Sequence, residues 1–207
     1  EYNEISKSKK IMYLFGFFIP PFFSFIFINK TKLEKMYKNK DKKINILDTP
    51  GYSDFVGDVK SAMKVCDTAV MVLKSAEGVE VGSEVSGKFV DEFKLPSAII
   101  INKVDNEHST FHETVEKSKQ RLTNGAIVIT FPAAEGINFK TVIDVLRMKS
   151  FTYSDAGSKK VSEGEIPAEL KSRAEGFRTQ LIEKIAEANE DLMNKYFENG
   201  SLTEDEL

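Results

Sequence analysis

The chain has 207 residues, 41% of them hydrophobic and 29% charged, which is room for one ordinary domain plus part of another. A formal net charge of -3 leaves no summed electrostatic footprint for nucleic acid. The single cysteine, Cys66, excludes an internal disulfide framework and suits a reducing compartment, so a cytoplasmic location is expected.

The opening segment, residues 1–43, differs in character from the remainder of the chain. Residues 11–28 (IMYLFGFFIPPFFSFIFI) form an apolar run flanked by Lys7, Lys9 and Lys10 before it and by Lys30 and Lys32 after it. The run just reaches the length of a membrane span. Gly16, the Pro20-Pro21 pair and Ser24 interrupt it as a helix. A basic start fits a signal peptide, but no small-residue cleavage site comes after it. Residues 22–28 also read as a buried strand. The Phe, Ile, Lys and Asn bias matches a translated AT-rich non-coding stretch. That reading is preferred, with a membrane anchor second. Residues 32–43 are lysine-rich and read as a solvated loop or a guarded edge strand.

The orderly pattern begins at residues 44–47 (INIL), which lead into Asp48, Thr49, Pro50, Gly51 and Tyr52. A helix capped by Ser53 or Asp54 comes next, carrying Val56, Val59, Met63 and Cys66. Cys66 is expected to pack as a small hydrophobe. Residues 68–73 (TAVMVL) form the next strand, residues 75–78 a polar turn, and residues 82–93 a helix with Val81, Val85, Phe89 and Phe93 four apart. Residues 97–101 (SAIII) then lead into Asn102, Lys103, Val104 and Asp105. Short β-branched runs alternating with helical patterns predict parallel strands joined by helical crossovers. Crossovers of one hand put every strand's carboxyl end on one edge, so both motifs open into a common crevice.

Beyond Asp105 a helix is predicted over residues 109–122, stopped by Gly125. His108 and His112 are four apart, but with no further ligand pattern they read as solvated rather than metal-binding. Residues 126–131 read as another strand, residues 142–146 and 148–153 as a small sheet element, and residues 155–164 as a polar loop. Pro167 opens a long helix with Leu170, Ala174, Phe177, Leu181, Ile185 and Ala188 on one face. Leu192, Met193, Tyr196 and Phe197 continue on a second segment before Asn199-Gly200. Thr203 and Glu206 have capping-box spacing with no helix after them, which suggests a truncated sequence.

A carboxylate at a strand end can hold a Mg²⁺-bound water through Asp48, while the bare Gly51 amide can approach a phosphate closely. At the second strand end, Asn102 and Asp105 complement the guanine edge, and the Lys103 stem can cover its ring. Either motif alone is compatible with a tight turn or a helix cap. Their order and separation by a strand–helix unit point to a guanine-nucleotide fold.

INILDTPGYSDFVGDV, GVEVGSE, LPSAIIINKVD and VIDVLRMK closely resemble elongation factor G, the ribosomal translocation GTPase, or its shorter relatives. The resemblance runs from Lys43 to Leu207 and implies an α/β, P-loop-NTPase-like fold. Its sheet would be mostly parallel, with helices on both faces. It implies GTP or GDP with Mg²⁺ as ligands and the ribosome as partner. Asp48 would lie near Mg²⁺, with Thr49, Pro50 and Gly51 at the phosphate side. Asn102, Lys103 and Asp105 would read guanine, and Tyr52 would occupy the water-positioning slot where many members place histidine. Residues 44–125 would be a partial GTPase domain and residues 126–207 an α+β insert subdomain of it. Ribosomal-protection and release-factor GTPases share these motifs.

The departures matter as much. Nothing before Asp48 matches GxxxxGK[ST], so the phosphate-loop strand, its amides, its lysine and its hydroxyl are missing. The threonine-bearing first switch is absent too. Negligible hydrolysis by the chain as written is expected, and a non-enzymatic remnant or a membrane-tethered ribosome-binding module is the alternative. Loss of the central strand would bare two apolar edges, and residues 22–28 are expected to fill that slot.

Overall fold

The computed structural model describes residues 24–29, 45–51, 53–153, 161–203 and 206–207. Its first sheet contains β1 (Ser24–Asn29), β2 (Asn45–Pro50), β3 (Thr68–Lys74) and β4 (Ser97–Asn102), in the order β2-β1-β3-β4. β3 and β4 pair in parallel, whereas β1 is antiparallel to both β2 and β3. The three strands β2, β3 and β4 therefore point the same way, as helical crossovers require, and their carboxyl ends share one edge. β1 alone runs against them. It stands outside the strand–helix–strand series, so the crossover rule does not set its direction. Ser24–Asn29 thus fills the slot expected for residues 22–28, and Phe22 and Phe23 lie outside the described residues.

Helix α1 (Val56–Met63) comes after a 3-10 turn over Ser53–Phe55. The cap expected at Ser53 or Asp54 moves to Phe55, without a side-chain cap bond, because that turn consumes the polar residues. Val59 and Met63 are buried, and so is Cys66 just beyond the helix, whose thiol burial pushes up. Cys66 packs as the small hydrophobe expected. α2 (Val81–Glu92) buries Ser83, Ser86, Gly87 and Val90. The stripe through Val81 flanks the buried face, with Val81 72% exposed but Phe89 and Phe93 partly buried against the core. A Cβ on Gly87 would stand 3.3 Å from Leu122 Cδ2, so the small face is what lets this helix approach α3 (Phe111–Arg121).

The second sheet is antiparallel throughout, in the order β5 (Thr130–Pro132), β6 (Thr141–Asp144), β7 (Lys149–Tyr153), β8 (Val161–Gly164). The strand expected over residues 126–131 is confined to its end. Ala126, Ile127, Val128 and Ile129 are buried ahead of that ladder, with only an isolated bridge at Val128, since a short apolar run marks burial whatever its conformation. Part of the loop expected at residues 155–164 is strand β8, supplied with partners by β7. α4 (Ala168–Ala186) starts after Pro167, and α5 (Glu190–Asn199) ends at Gly200 with φ +68°. Asn189 caps α5 by accepting the Asp191 N–H at 2.8 Å.

One hydrophobic cluster joins both sheets. It runs from Met71, Leu73, Ile99 and Ile101 through Phe111 and Val115 to Phe131, Ile143, Ala174 and Leu181. Phe111 and Phe131 are fully buried in it.

Candidate nucleotide site

The two motifs end strands on the same sheet edge. β2 and β4 are three strand steps apart in the sheet, and at about 4.8 Å per step their ends are separated laterally by roughly 14 Å. A nucleoside diphosphate can bridge such an interval.

On the β2 side, Asp48 and Pro50 are exposed, Gly51 is half-buried and Thr49 is buried. The Thr49 hydroxyl is buried without a hydrogen-bond partner. The loop after β2 packs against the start of α2, where a Cβ on Gly82 would stand 3.8 Å from the Gly51 carbonyl oxygen. The GVEVGSE stretch is thereby brought to the DTPG turn, a contact that sequence reading did not foresee. Tyr52 lies outside the described residues.

On the β4 side, the Asn102 side-chain oxygen accepts the Lys103 N–H at 2.9 Å. Lys103 has φ +57°, so the chain turns sharply as it leaves the strand. Val104 is 5% exposed and anchors the turn, whereas Asp105 is exposed. A buried apolar residue between two polar ones fixes the loop while leaving the carboxylate available as an acceptor.

Two residues outside the motifs hold this loop. Ser75, fully buried just after β3, donates its N–H to the Asn102 carbonyl at 2.9 Å. Its own carbonyl accepts from the hydroxyls of Thr110 at 2.9 Å and Thr114 at 3.1 Å. From the opposite side, Glu135 Oε2 accepts the Phe111 N–H at 2.7 Å and the Ser109 hydroxyl at 2.8 Å. The Gly136 N–H donates to the Val104 carbonyl at 2.8 Å. Sequence reading missed both residues. Ser75 showed only as part of a polar turn, and Glu135 lies 24 positions from the amide it caps.

His108 and His112 do not converge on a metal. His108 is exposed, while His112 is half-buried and faces Arg173 and Glu135. Among the described residues no group of three or more His, Cys, Asp or Glu could hold a metal ion. An exposed carboxylate at Asp48 fits a divalent cation only as one water-mediated ligand among nucleotide phosphates, which is how Mg²⁺ is commonly held.

The phosphate side differs from the base side. The resemblance to elongation factor G implies a phosphate loop at the carboxyl end of a strand between β2 and β3. β1 occupies that position and brings its amino end, Ser24, level with Pro50. Its carboxyl end, Asn29, faces the opposite edge.

The model of the elongation factor Tu GTP binding domain matches residues 25–201. The chain belongs to that family, the translational GTPases. A crystal structure of a protein from Thermus thermophilus superposes with a TM-score of 0.70 at 27% identity, over 86% of this chain and 25% of that one. The chain thus spans about a quarter of the length of that protein. Membership carries the P-loop GTPase type of α/β fold and guanine-nucleotide binding as the family's property. Among the described residues, no helix is long and apolar enough to cross a membrane.

Proposed function

We propose that this chain is the guanine-reading portion of an elongation-factor-G-like translational GTPase and binds guanine nucleotide without hydrolysing it appreciably. The observation that supports this best is the contrast between the two sides of the site. The loop bearing Asn102, Lys103 and Asp105 is built and braced, whereas the strand in the phosphate-loop slot runs the wrong way.

Asp105 would accept from the two donors on the guanine edge, Asn102 would complete the edge, and the Lys103 stem would cover the ring. Asp48 would hold Mg²⁺ through water, with Thr49, Pro50 and Gly51 beside the terminal phosphate and Tyr52 near the attacking water. Mg²⁺ supplies charge neutralisation on the phosphates when bound. Without amides and a lysine cradling the β-phosphate, most of the transition-state stabilisation is lost. Residues 126–207 act as the insert subdomain, the cytoplasm is the working compartment, and the ribosome is the partner of the intact protein.

The test is titration of the full chain with fluorescent GDP and XDP analogues, comparing wild type with Asp105→Asn. A wild type that prefers GDP and a variant that prefers XDP supports the reading, because the swapped donor and acceptor match xanthine. A chain that binds neither nucleotide, or a variant whose preference does not move, overturns it.

A further inference from the structure

Residues 103–110, which carry Lys103 and Asp105, are clamped between the two sheets, and the hydrogens in that clamp have only one consistent order. Ser109 Oγ lies 2.8 Å from Glu135 Oε2, a carboxylate oxygen that can only accept when ionised. Ser109 therefore spends its single hydroxyl hydrogen on Glu135. Ser75 Oγ lies 2.6 Å from Ser109 Oγ, so in that contact Ser75 must donate. The relay thus runs from Ser75 at the end of β3, through Ser109 in the loop, to Glu135 after β5.

The same carboxylate oxygen takes the Phe111 N–H, the first amide of an 11-residue helix whose preceding residue, Thr110, gives no side-chain cap. A negative charge there also suits the positive end of the helix dipole. Gly136 seals the clamp with its bond to Val104, the buried residue between Lys103 and Asp105. Every one of these bonds lands close to Asp105 in the chain, on either side of it.

We propose that Glu135 is the positioning residue of the guanine-reading loop, fixing Asp105 and Lys103 for base discrimination without touching nucleotide. The proposal rests on the guanine-site reading above. It makes the second sheet a part of base selection, since Glu135 is delivered by the turn after β5.

Hypoxanthine nucleotide lacks the exocyclic amine of guanine, so the ratio of IDP to GDP dissociation constants reports how well Asp105 is held. Amide NMR titrations of the full chain with GDP and with IDP read that ratio even where binding is weak. A hydrogen bond to a charged acceptor gives the wild type a preference of about tenfold or more for GDP. Glu135→Ala should bring the ratio close to one, chiefly by weakening GDP. Glu135→Gln keeps an acceptor oxygen for Phe111 and should retain most of the preference.

Ser109→Ala breaks the relay but leaves the Phe111 bond, so it should lower the ratio by a smaller factor and serves if Glu135→Ala does not fold. A merely structural Glu135 would lower the unfolding temperature and leave the ratio unchanged. GDP binding with wild-type discrimination in the folded variants overturns the proposal and leaves the guanine site standing. A wild type that responds to neither nucleotide overturns both.

Discussion

Arg173 Nη1 lies 2.8 Å from Nε2 of His112, and that contact decides which ring nitrogen bears the hydrogen. A guanidinium has donors only, so Nε2 accepts and the hydrogen of the neutral ring resides on Nδ1. The bond ties α4 to the start of α3, where Glu135 Oε1 lies 4.0 Å from the same nitrogen.

Burial of the His112 ring holds its pKa below the ordinary histidine value, and the Arg173 charge pushes the same way, while Glu135 and Glu116 oppose them. A histidine depressed in the folded state is protonated more readily after unfolding. The unfolded chain therefore binds more protons below about pH 6.5, and stability falls as pH drops through that value towards the folded pKa. Urea unfolding at about pH 7.5 and about pH 5.5, on either side of that value, should show wild type losing stability and His112→Gln losing less. Equal losses would refute the assignment.

Gly136 has φ +73°, and a Cβ there would stand 3.5 Å from the Asn106 carbonyl oxygen and 3.6 Å from Glu107 Cα. Gly136→Ala should cost about 1–2 kcal/mol, because an L-residue is strained in the left-handed region. Gly57, in α1 with nothing near its Cβ position, is the control, and Gly57→Ala should not destabilise. Chemical denaturation of both variants measures the contrast, and equal effects would remove the conformational argument.

The strands that carry the motifs were legible because β-branched apolar runs stop at turn residues. Crossovers of one hand then placed both loops on one edge, which the common direction of β2, β3 and β4 bears out. What escaped the sequence is non-local or lacks an apolar signal. Ser83, Ser86 and Gly87 are buried on α2 although none is a large hydrophobe, so the visible Val and Phe stripe, of which Phe89 and Phe93 pack against the core, marked only the flank of the buried face. The reversed direction of β1 depends on which strands it meets, and no residue within it encodes that. Glu135 caps a helix whose start lies 24 residues earlier, beyond the reach of any local pattern. Val161–Gly164 reads as polar loop because its pairing with β7, rather than its own apolarity, makes it a strand.

Phe131 of β5 meets Phe177 of α4 edge-on, with ring centroids 5.4 Å apart and planes at 63°. Phe131 is fully buried, so Phe131→Ala should cost about 3–5 kcal/mol. Phe177 is only partly buried, and its truncation should cost less. The double variant should reveal a coupling of about 0.5–1.5 kcal/mol, the usual increment of a packed aromatic pair. Additive losses in denaturant midpoints would show that the two rings contribute by burial alone.

Glu206 accepts from both the N–H and the hydroxyl of Thr203, at 3.0 Å and 2.9 Å, and also from Lys195 of α5. The capping-box spacing read in the sequence is thus realised as a closed hydrogen-bonded unit. The Lys195 bond first, and then the two Thr203 bonds, lower the Glu206 pKa to about 2. A carboxylate depressed in the folded state stabilises the fold above its ordinary range, near 4.5, and that contribution fades as pH falls towards 2. Side-chain carboxyl NMR should find Glu206 titrating near pH 2 in wild type. Lys195→Met should move it upward yet keep it below the ordinary value, because both Thr203 donors remain. A variant titrating like a free glutamate would mean that the Thr203 bonds do not hold the carboxylate in solution.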